Sequence, residues 1–174
     1  EGFCMLNDQA IGANYLLRNK KASRVLIVDL DVHQGNGTAE IFKKNPRVFT
    51  FSMHGAKNYP IRKEKSDLDI GLEDGCKDED YLALLIKHLN VVIKKFSPDF
   101  IFYQAGVDVL ATDNLGRLGL TKEGCKRRDQ YVLEFAQREQ IPSVVCMGGG
   151  YSPNIKDIIE AHTNTFKIAQ QIFL

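Results

Sequence analysis

The sequence predicts an α/β fold, a parallel sheet covered by helices on both faces. Three observations predict it. Apolar runs recur at residues 25–28, 48–53, 100–103 and 143–147, segments of helical character separate them, and the first run, Val25-Leu26-Ile27-Val28, has no polar alternation. A strand with one wet face alternates, so an unbroken run reads as a strand buried on both faces. Strands that alternate with helices favour parallel order.

The elements follow in order. A helix is expected over residues 8–19, before the first strand. The Gly35-Asn36-Gly37 turn then leads into a short helix at 38–44. After the second strand, residues 55–75 are rich in Lys, Asp and Gly and read as a long loop. The clearest helix starts at Asp78. Glu79 and Asp80 favour its N-terminus, Leu85, Leu89, Val92 and Phe96 form an apolar stripe, Lys94 and Lys95 suit its C-terminal end, and Pro98 stops it. The third strand, a helix over 121–140, the fourth strand and a helix from Pro153 to the C-terminus complete the pattern. No internal repeat, low-complexity tract or linker divides it, which predicts a single unit over residues 1–174.

Composition narrows the function classes. With 174 residues and 44% hydrophobic content the chain can bury a core. A net charge of +1 supplies no strong basic field, so no direct nucleic-acid binding is expected. Cys4, Cys76, Cys125 and Cys146 lie far apart without a CxxC pair, which argues for reduced thiols rather than a zinc ribbon or redox motif. No signal-peptide pattern opens the chain, and no apolar run approaches the roughly 18 residues of a membrane span. The expected location is intracellular, in cytoplasm or nucleus, without a membrane partner.

Chemistry concentrates at the strand ends. The first run leads into Asp29-Leu30-Asp31-Val32-His33, the second into Ser52-Met53-His54, the third into Ala105-Gly106-Val107-Asp108 and the fourth into Gly148-Gly149-Gly150-Tyr151. If the chain stays extended after residue 28, alternation puts Asp29, Asp31 and His33 on one side. Open α/β sheets bind ligands at that carboxyl edge. Asp31, His33 and Asp108 would then supply two carboxylates and one imidazole to a metal, with a coordination position left for water, as in a catalytic rather than a structural site. A lone Asp after a strand is more often a cap or loop residue, and it is the coincidence of several strand ends that weighs against that reading. His54, His88 and His162 lack acidic neighbours in register and read as ordinary. The three glycines before Tyr151 lack the GxGxxG spacing and the following Lys-Ser/Thr of a phosphate cradle. An arginase-like pair of metals would want an Asp two residues after His33, where Gly35 stands, so one metal is favoured.

Four strings in this order and spacing, Gly2-Phe3-Cys4-Met5-Leu6-Asn7-Asp8, Asp29 to Gly37, Ala105 to Asp108 and Gly148 to Tyr151, resemble the zinc-dependent histone deacetylase family over essentially the whole chain. Tyr59-Pro60 and Asp67-Leu68-Asp69-Ile70 are most similar to class IV and related bacterial members. The resemblance implies an arginase-like three-layer fold and hydrolysis of N-acetyl- or acyl-lysine, on histones or other acylated proteins. It implies Zn²⁺ on Asp31, His33 and Asp108, with Fe²⁺ as the alternative ion. Tyr151 falls on the family's transition-state tyrosine, with Gly149 among the glycines that let the backbone come close. Phe3, Tyr59 and Leu115 match walls of the acyl-lysine tunnel, and the Gly2 carbonyl matches an acceptor for the substrate amide. Asp29, Asp31, His33 and Ser52, with the carbonyl of Met53, match a structural K⁺ site.

One departure stands out. The family's general acid/base is a pair of adjacent histidines shortly before the Gly-Phe-Cys motif, and no histidine precedes Gly2 here. Asp29 and Asn36 match the residues that hydrogen-bond that pair. The resemblance therefore predicts the C-terminal part of a deacetylase domain, without its N-terminal strands and dyad. Two carboxylates formally cancel the charge of Zn²⁺, which makes a separate base more necessary, and losing one typically costs about 10²- to 10⁴-fold. The competing readings are a catalytically silent acyl-lysine-binding or scaffold module, and an acetylpolyamine amidohydrolase.

Overall fold

The computed structural model describes residues 3–174. Five strands, β1 (Val25–Asp29), β2 (Val48–Gly55), β3 (Leu68–Leu72), β4 (Phe100–Ala105) and β5 (Ser143–Met147), form one sheet in the order β3-β2-β1-β4-β5. Every pairing is parallel. Five helices accompany them: α1 (Asp8–Arg18), α2 (Asn36–Phe42), α3 (Asp78–Phe96), α4 (Lys122–Arg138) and α5 (Ile155–Phe173).

The unbroken run in β1 has its reason in the two cores. Leu26 and Val28 point to one face, where they join Phe51, Met53, Tyr81, Leu85 and Val132 from β2, α3 and α4. Val25 and Ile27 point to the other, against Ala13 and Leu17 of α1, Phe42 of α2, Val48 and Phe102. A central strand with helices on both sides has no wet face, so no polar residue interrupts it. Local signals agree with these ends. The Asn7 side chain accepts from the Ala10 N–H and the Thr121 hydroxyl from the Gly124 N–H, each a helix N-cap worth about 1 kcal/mol. Ser97 closes α3 in the left-handed region (φ 47°), immediately before Pro98.

The 55–75 segment differs from its reading as a loop. It contains β3, which pairs with β2 from Phe51↔Leu68 to Gly55↔Leu72. β3 is an edge strand of mostly half-exposed residues, and Asp69 and Gly71 within it suppress any strand signal. Its lead-in is anchored by side chains. Asp67 accepts from the Thr50 N–H and hydroxyl, at 2.8 and 3.0 Å, and Asp69 accepts from Gln34 and from the Ser66 N–H, both at 2.8 Å. Among the described residues, no helix is long and apolar enough to cross a membrane.

The strand order fixes where a site can form. From β1 the chain moves outward to β2 and β3, then returns to the opposite side of β1 as β4 and β5. Loops leaving β1 and β4 therefore diverge at the carboxyl edge, and a crevice opens between them. Asp31 and His33 follow β1, and Asp108 follows β4.

Candidate metal centre and active site

β1 ends at Asp29, so Asp31 and His33 are not carried by strand alternation. A turn brings them together instead. The Asp31 N–H donates to Asp29 Oδ1 (3.2 Å) and the His33 N–H to Asp31 Oδ1 (2.9 Å). Asp108, with no exposed surface, comes to the same place from β4, and its Oδ1 accepts from the Val32 N–H at 2.9 Å. His33 Nδ1 then lies 3.1 Å from Asp31 Oδ1 and 3.2 Å from Asp108 Oδ2. One donor atom from each of these three residues falls within 4.8 Å of the others, a group that could hold a metal ion. Bonds of about 2.0–2.2 Å at tetrahedral angles separate neighbouring donors by about 3.3–3.6 Å, so the spacing needs little adjustment to fit a small divalent ion.

The end of β5 closes over this cluster. Gly149 donates its N–H to Asp31 Oδ2 (2.9 Å) and accepts from the Val107 N–H (2.7 Å). Glycine is needed here for closeness. A Cβ at Gly106 would run into the Asp31 carboxylate, and one at Gly149 into the Asp108 carboxylate and the Tyr151 ring.

Electrostatically the cluster is short of positive charge. Burial, then the neighbouring Asp31 charge, pushes Asp29 well above the usual carboxylate range. Burial pushes Asp108 up to about 7, and bonds from His33 and the Val32 N–H offset it only in part. Burial opposes charge on Asp31 too, but its bonds from His33 and from the Gly149 N–H outweigh it and hold the group low. At His33 burial is likewise outweighed, by Asp108 and Asp31, and the imidazole rises to about 10. Three carboxyls thus share one base, and protons take the place a cation could fill.

Above the cluster a cavity of about 870 Å³ is lined by Phe3, Tyr59, Leu115 and Tyr151, with Asp31 and His33 at its polar part. The Phe3 and Tyr151 rings lie 5.6 Å apart at 55°. Burial, then the charges of Asp108 and Asp31, raises the Tyr151 phenol, which keeps it a hydroxyl donor at neutral pH. Its backbone is held by Asp113. One Asp113 oxygen accepts from the Tyr151 N–H (2.6 Å) and the other from the Leu115 and Gly116 N–H groups (2.8 and 2.7 Å). Leu115 is also held through its carbonyl, which accepts from Asn58 (2.7 Å).

The other expected residues fall around this centre in different ways. Asp29 and Asn36 line the cavity, and Asp29 sits opposite Ser52 in the β1–β2 register. The Ser52 hydroxyl is 3.0 Å from His54 Nδ1 and accepts from the Gly35 N–H at 3.5 Å. Met53 packs its side chain into the core. Gly2 lies outside the described residues. Burial lowers His54, His88 and His162, which favours neutral rings at all three.

Sequence reasoning missed the side chains that hold the loops. Asp113 gave no signal beyond that of an ordinary turn aspartate. Gln34, beside His33, ties the β1 turn to the lead-in of β3 by donating to the Glu64 carbonyl (2.7 Å) and to Asp69 (2.8 Å). Arg128 belongs to the charged string Lys126-Arg127-Arg128-Asp129, in which no apolar residue marks the buried side.

Comparison with known proteins places the chain among relatives of the same fold. An uncharacterised protein of Picosynechococcus sp. is 45% identical over 99% of this chain and 57% of its own length. Histone deacetylase 2 of Arabidopsis thaliana is 32% identical over 91% of the chain and 42% of that protein. An acetylpolyamine aminohydrolase from Burkholderia pseudomallei shares the fold, with a TM-score of 0.83 at 24% identity, covering 98% of this chain and 51% of that one. The chain thus spans about half the length of the curated relatives it matches. The model of the histone deacetylase domain matches residues 1–166, and with it the chain belongs to the histone deacetylase family.

Proposed function

We propose that these 174 residues are the metal-binding and oxyanion-stabilising portion of a zinc-dependent deacetylase domain that hydrolyses the amide of N-acetyl- or acyl-lysine. The observation that carries the reading is the meeting of Asp31, His33 and Asp108 under a cavity that also presents the Tyr151 hydroxyl. Two carboxylates and an imidazole suit Zn²⁺, and Fe²⁺ suits the same set. When bound, the ion supplies Lewis-acid polarisation of the acyl carbonyl and lowers the pKa of water.

The chain's own residues do the remaining work. Asp31, His33 and Asp108 hold the ion, and the Gly149 N–H and Val32 N–H keep two of those carboxylates aimed. Tyr151 donates its hydroxyl to the oxygen of the acyl group as negative charge grows there, a bond stronger in the transition state than in the substrate. Phe3, Tyr59 and Leu115 bind the aliphatic part of the acyl-lysine and exclude water, which favours an uncharged amide over the charged product amine. Asp29, Asp31, His33 and Ser52, with the Met53 carbonyl, would hold an alkali cation, K⁺. Of the four histidines only His33 lines the cavity, so the proton shuttle is assigned to a histidine pair outside these 174 residues.

The test sets the isolated 174 residues beside the full-length gene product on an acetyl-lysine peptide, with an acetylated polyamine in parallel. Peptide hydrolysis by the full-length protein and a loss of about 10²- to 10⁴-fold in the isolated chain are expected. Equal rates would sink the external shuttle. No turnover of either substrate by metal-loaded full-length protein would leave the silent binding module instead, and preference for the polyamine would replace the substrate class.

A further inference from the structure

Beneath the ligand turns, on the face covered by α3 and α4, Arg128 lies in the middle of α4 with no exposed surface. Its Nη1 donates to two main-chain carbonyls, Gly106 O at 2.6 Å and Leu30 O at 3.1 Å. The two acceptors belong to different strand ends. Leu30 directly precedes Asp31, and Gly106 stands two residues before Asp108.

This contact sits where the sheet stops holding the two chains together. The β1–β4 register ends at Asp29↔Gln104, with one further bond from the Leu30 N–H to the Gln104 carbonyl at 3.2 Å. Beyond it no ladder bond joins the two segments, although Gly106 still lies against Asp31, and ladder bonds no longer fix the distance between Asp31 and Asp108. There the two bonds of Nη1 tie the segments together, beside the Val32 N–H bond to Asp108 Oδ1.

We propose that Arg128 is a positioning residue for the metal centre, clamping the Leu30 and Gly106 carbonyls so that the turns bearing Asp31, His33 and Asp108 stand at ligand spacing. The proposal rests on those three residues being metal ligands.

The guanidinium is itself held from behind. Its Nε and Nη2 lie 2.8 and 2.7 Å from Asp129 Oδ1. Asp129 also accepts from the Tyr103 hydroxyl of β4 (2.5 Å) and the Thr165 hydroxyl of α5 (2.6 Å). One edge of a rigid planar fork is therefore anchored to α4, α5 and the sheet while the other reaches the two carbonyls. Lysine offers a single point of charge and cannot serve both edges. An apolar side chain would also close α4 onto the sheet, so packing alone does not require arginine here; the two carbonyl bonds do.

The experiment titrates metal-free full-length protein with Zn²⁺ against a chromophoric chelator and records the Co²⁺ ligand-field spectrum. It compares wild type, Arg128→Lys and Leu89→Ala, a cavity-forming change in the core of α3. Arg128→Lys is expected to weaken Zn²⁺ binding about 10- to 100-fold and to shift the Co²⁺ bands. Leu89→Ala is expected to lower the melting temperature while leaving affinity and spectrum as in wild type. Should Arg128→Lys not fold, the double change Arg128→Met, Asp129→Leu removes the clamp without stranding a charge, and the same loss is expected. Wild-type affinity with an unchanged spectrum in the folded Arg128 variant would overturn the clamp, as would an equal loss in Leu89→Ala. A wild-type protein that binds neither ion would overturn the ligand assignment, and the clamp with it.

Discussion

Two buried polar clusters lie one behind the other at the carboxyl edge of β1 and β4, and they are balanced in opposite ways. The rear cluster pairs the Arg128 charge with that of Asp129 and adds two hydroxyl donors, so both Asp129 oxygens are occupied from within the protein. The front cluster sets Asp29, Asp31 and Asp108 against His33 alone. Burying charge is costly unless a partner offsets it. A cluster that closes its own charge is a device for holding structure. One that leaves acid in excess is built around a cation.

The front cluster should respond most strongly to substitution. Asp31→Asn and Asp108→Asn each replace a carboxylate ligand with a neutral amide, and each is expected to strip bound zinc from purified full-length protein. Elemental analysis checks this, and unchanged metal content in either would refute the ligand set. Tyr151→Phe keeps the ring that packs on Phe3 and removes only the hydroxyl. Its kcat on an acetyl-lysine peptide should fall about 10²- to 10³-fold with KM little changed, as for loss of an oxyanion donor.

At the rear the same kind of change should act on stability. Asp129→Ala strands the Arg128 charge in the core, and denaturant unfolding should show a loss of about 3–5 kcal/mol. If Asp129→Ala were nearly neutral while Asp108→Asn unfolded the protein, the division between the two clusters would be wrong.

A gentler test uses pH. In chelator, His33 has a folded pKa of about 10, above its usual 6.5, so the stability it adds is full below about pH 6.5 and lost as pH rises through about 10. Asp108, raised from 3.8 to about 7, contributes with the same sign between those values. The melting temperature of metal-free protein should therefore decline from about pH 4 to about pH 10. Metal replaces the shared protons, so the loaded protein should show a flatter profile.

The sequence carried the sheet more fully than the site. Unbroken or nearly unbroken apolar runs marked β1, β2 and β4, because strands buried on both faces leave that trace; the run at β5 marked an edge strand instead, half-buried and with Val144 and Met147 exposed. β3 left none, since an edge strand with Asp69 and Gly71 is composed like a loop. At the site, Asp31, His33 and Asp108 could be named because each lies within four residues of a strand end, although the turn that joins the first two is not visible in a period-2 pattern. Arg127 and Arg128 show the limit. They are neighbours of one residue type, yet Arg127 reaches out to Glu79 on the surface while Arg128 is sealed in the core. One step along a helix is about 100° of rotation, and in a string of four charges no apolar residue marks which direction is inward.

The placement of the ligands also bears on how the protein is made. Asp108 follows His33 by 75 residues, and β2, β3, α3 and β4 must all be laid down between them. At about 5–20 residues per second, the ribosome delivers the third ligand about 4–15 s after the second. Until then the emerging chain offers two of the three ligands, Asp31 and His33, on a turn that β2 can hold through the Gly55 N–H bond to the Val32 carbonyl but that β4 does not yet flank. Ion capture is thus a late event in synthesis, set by the topology of the sheet.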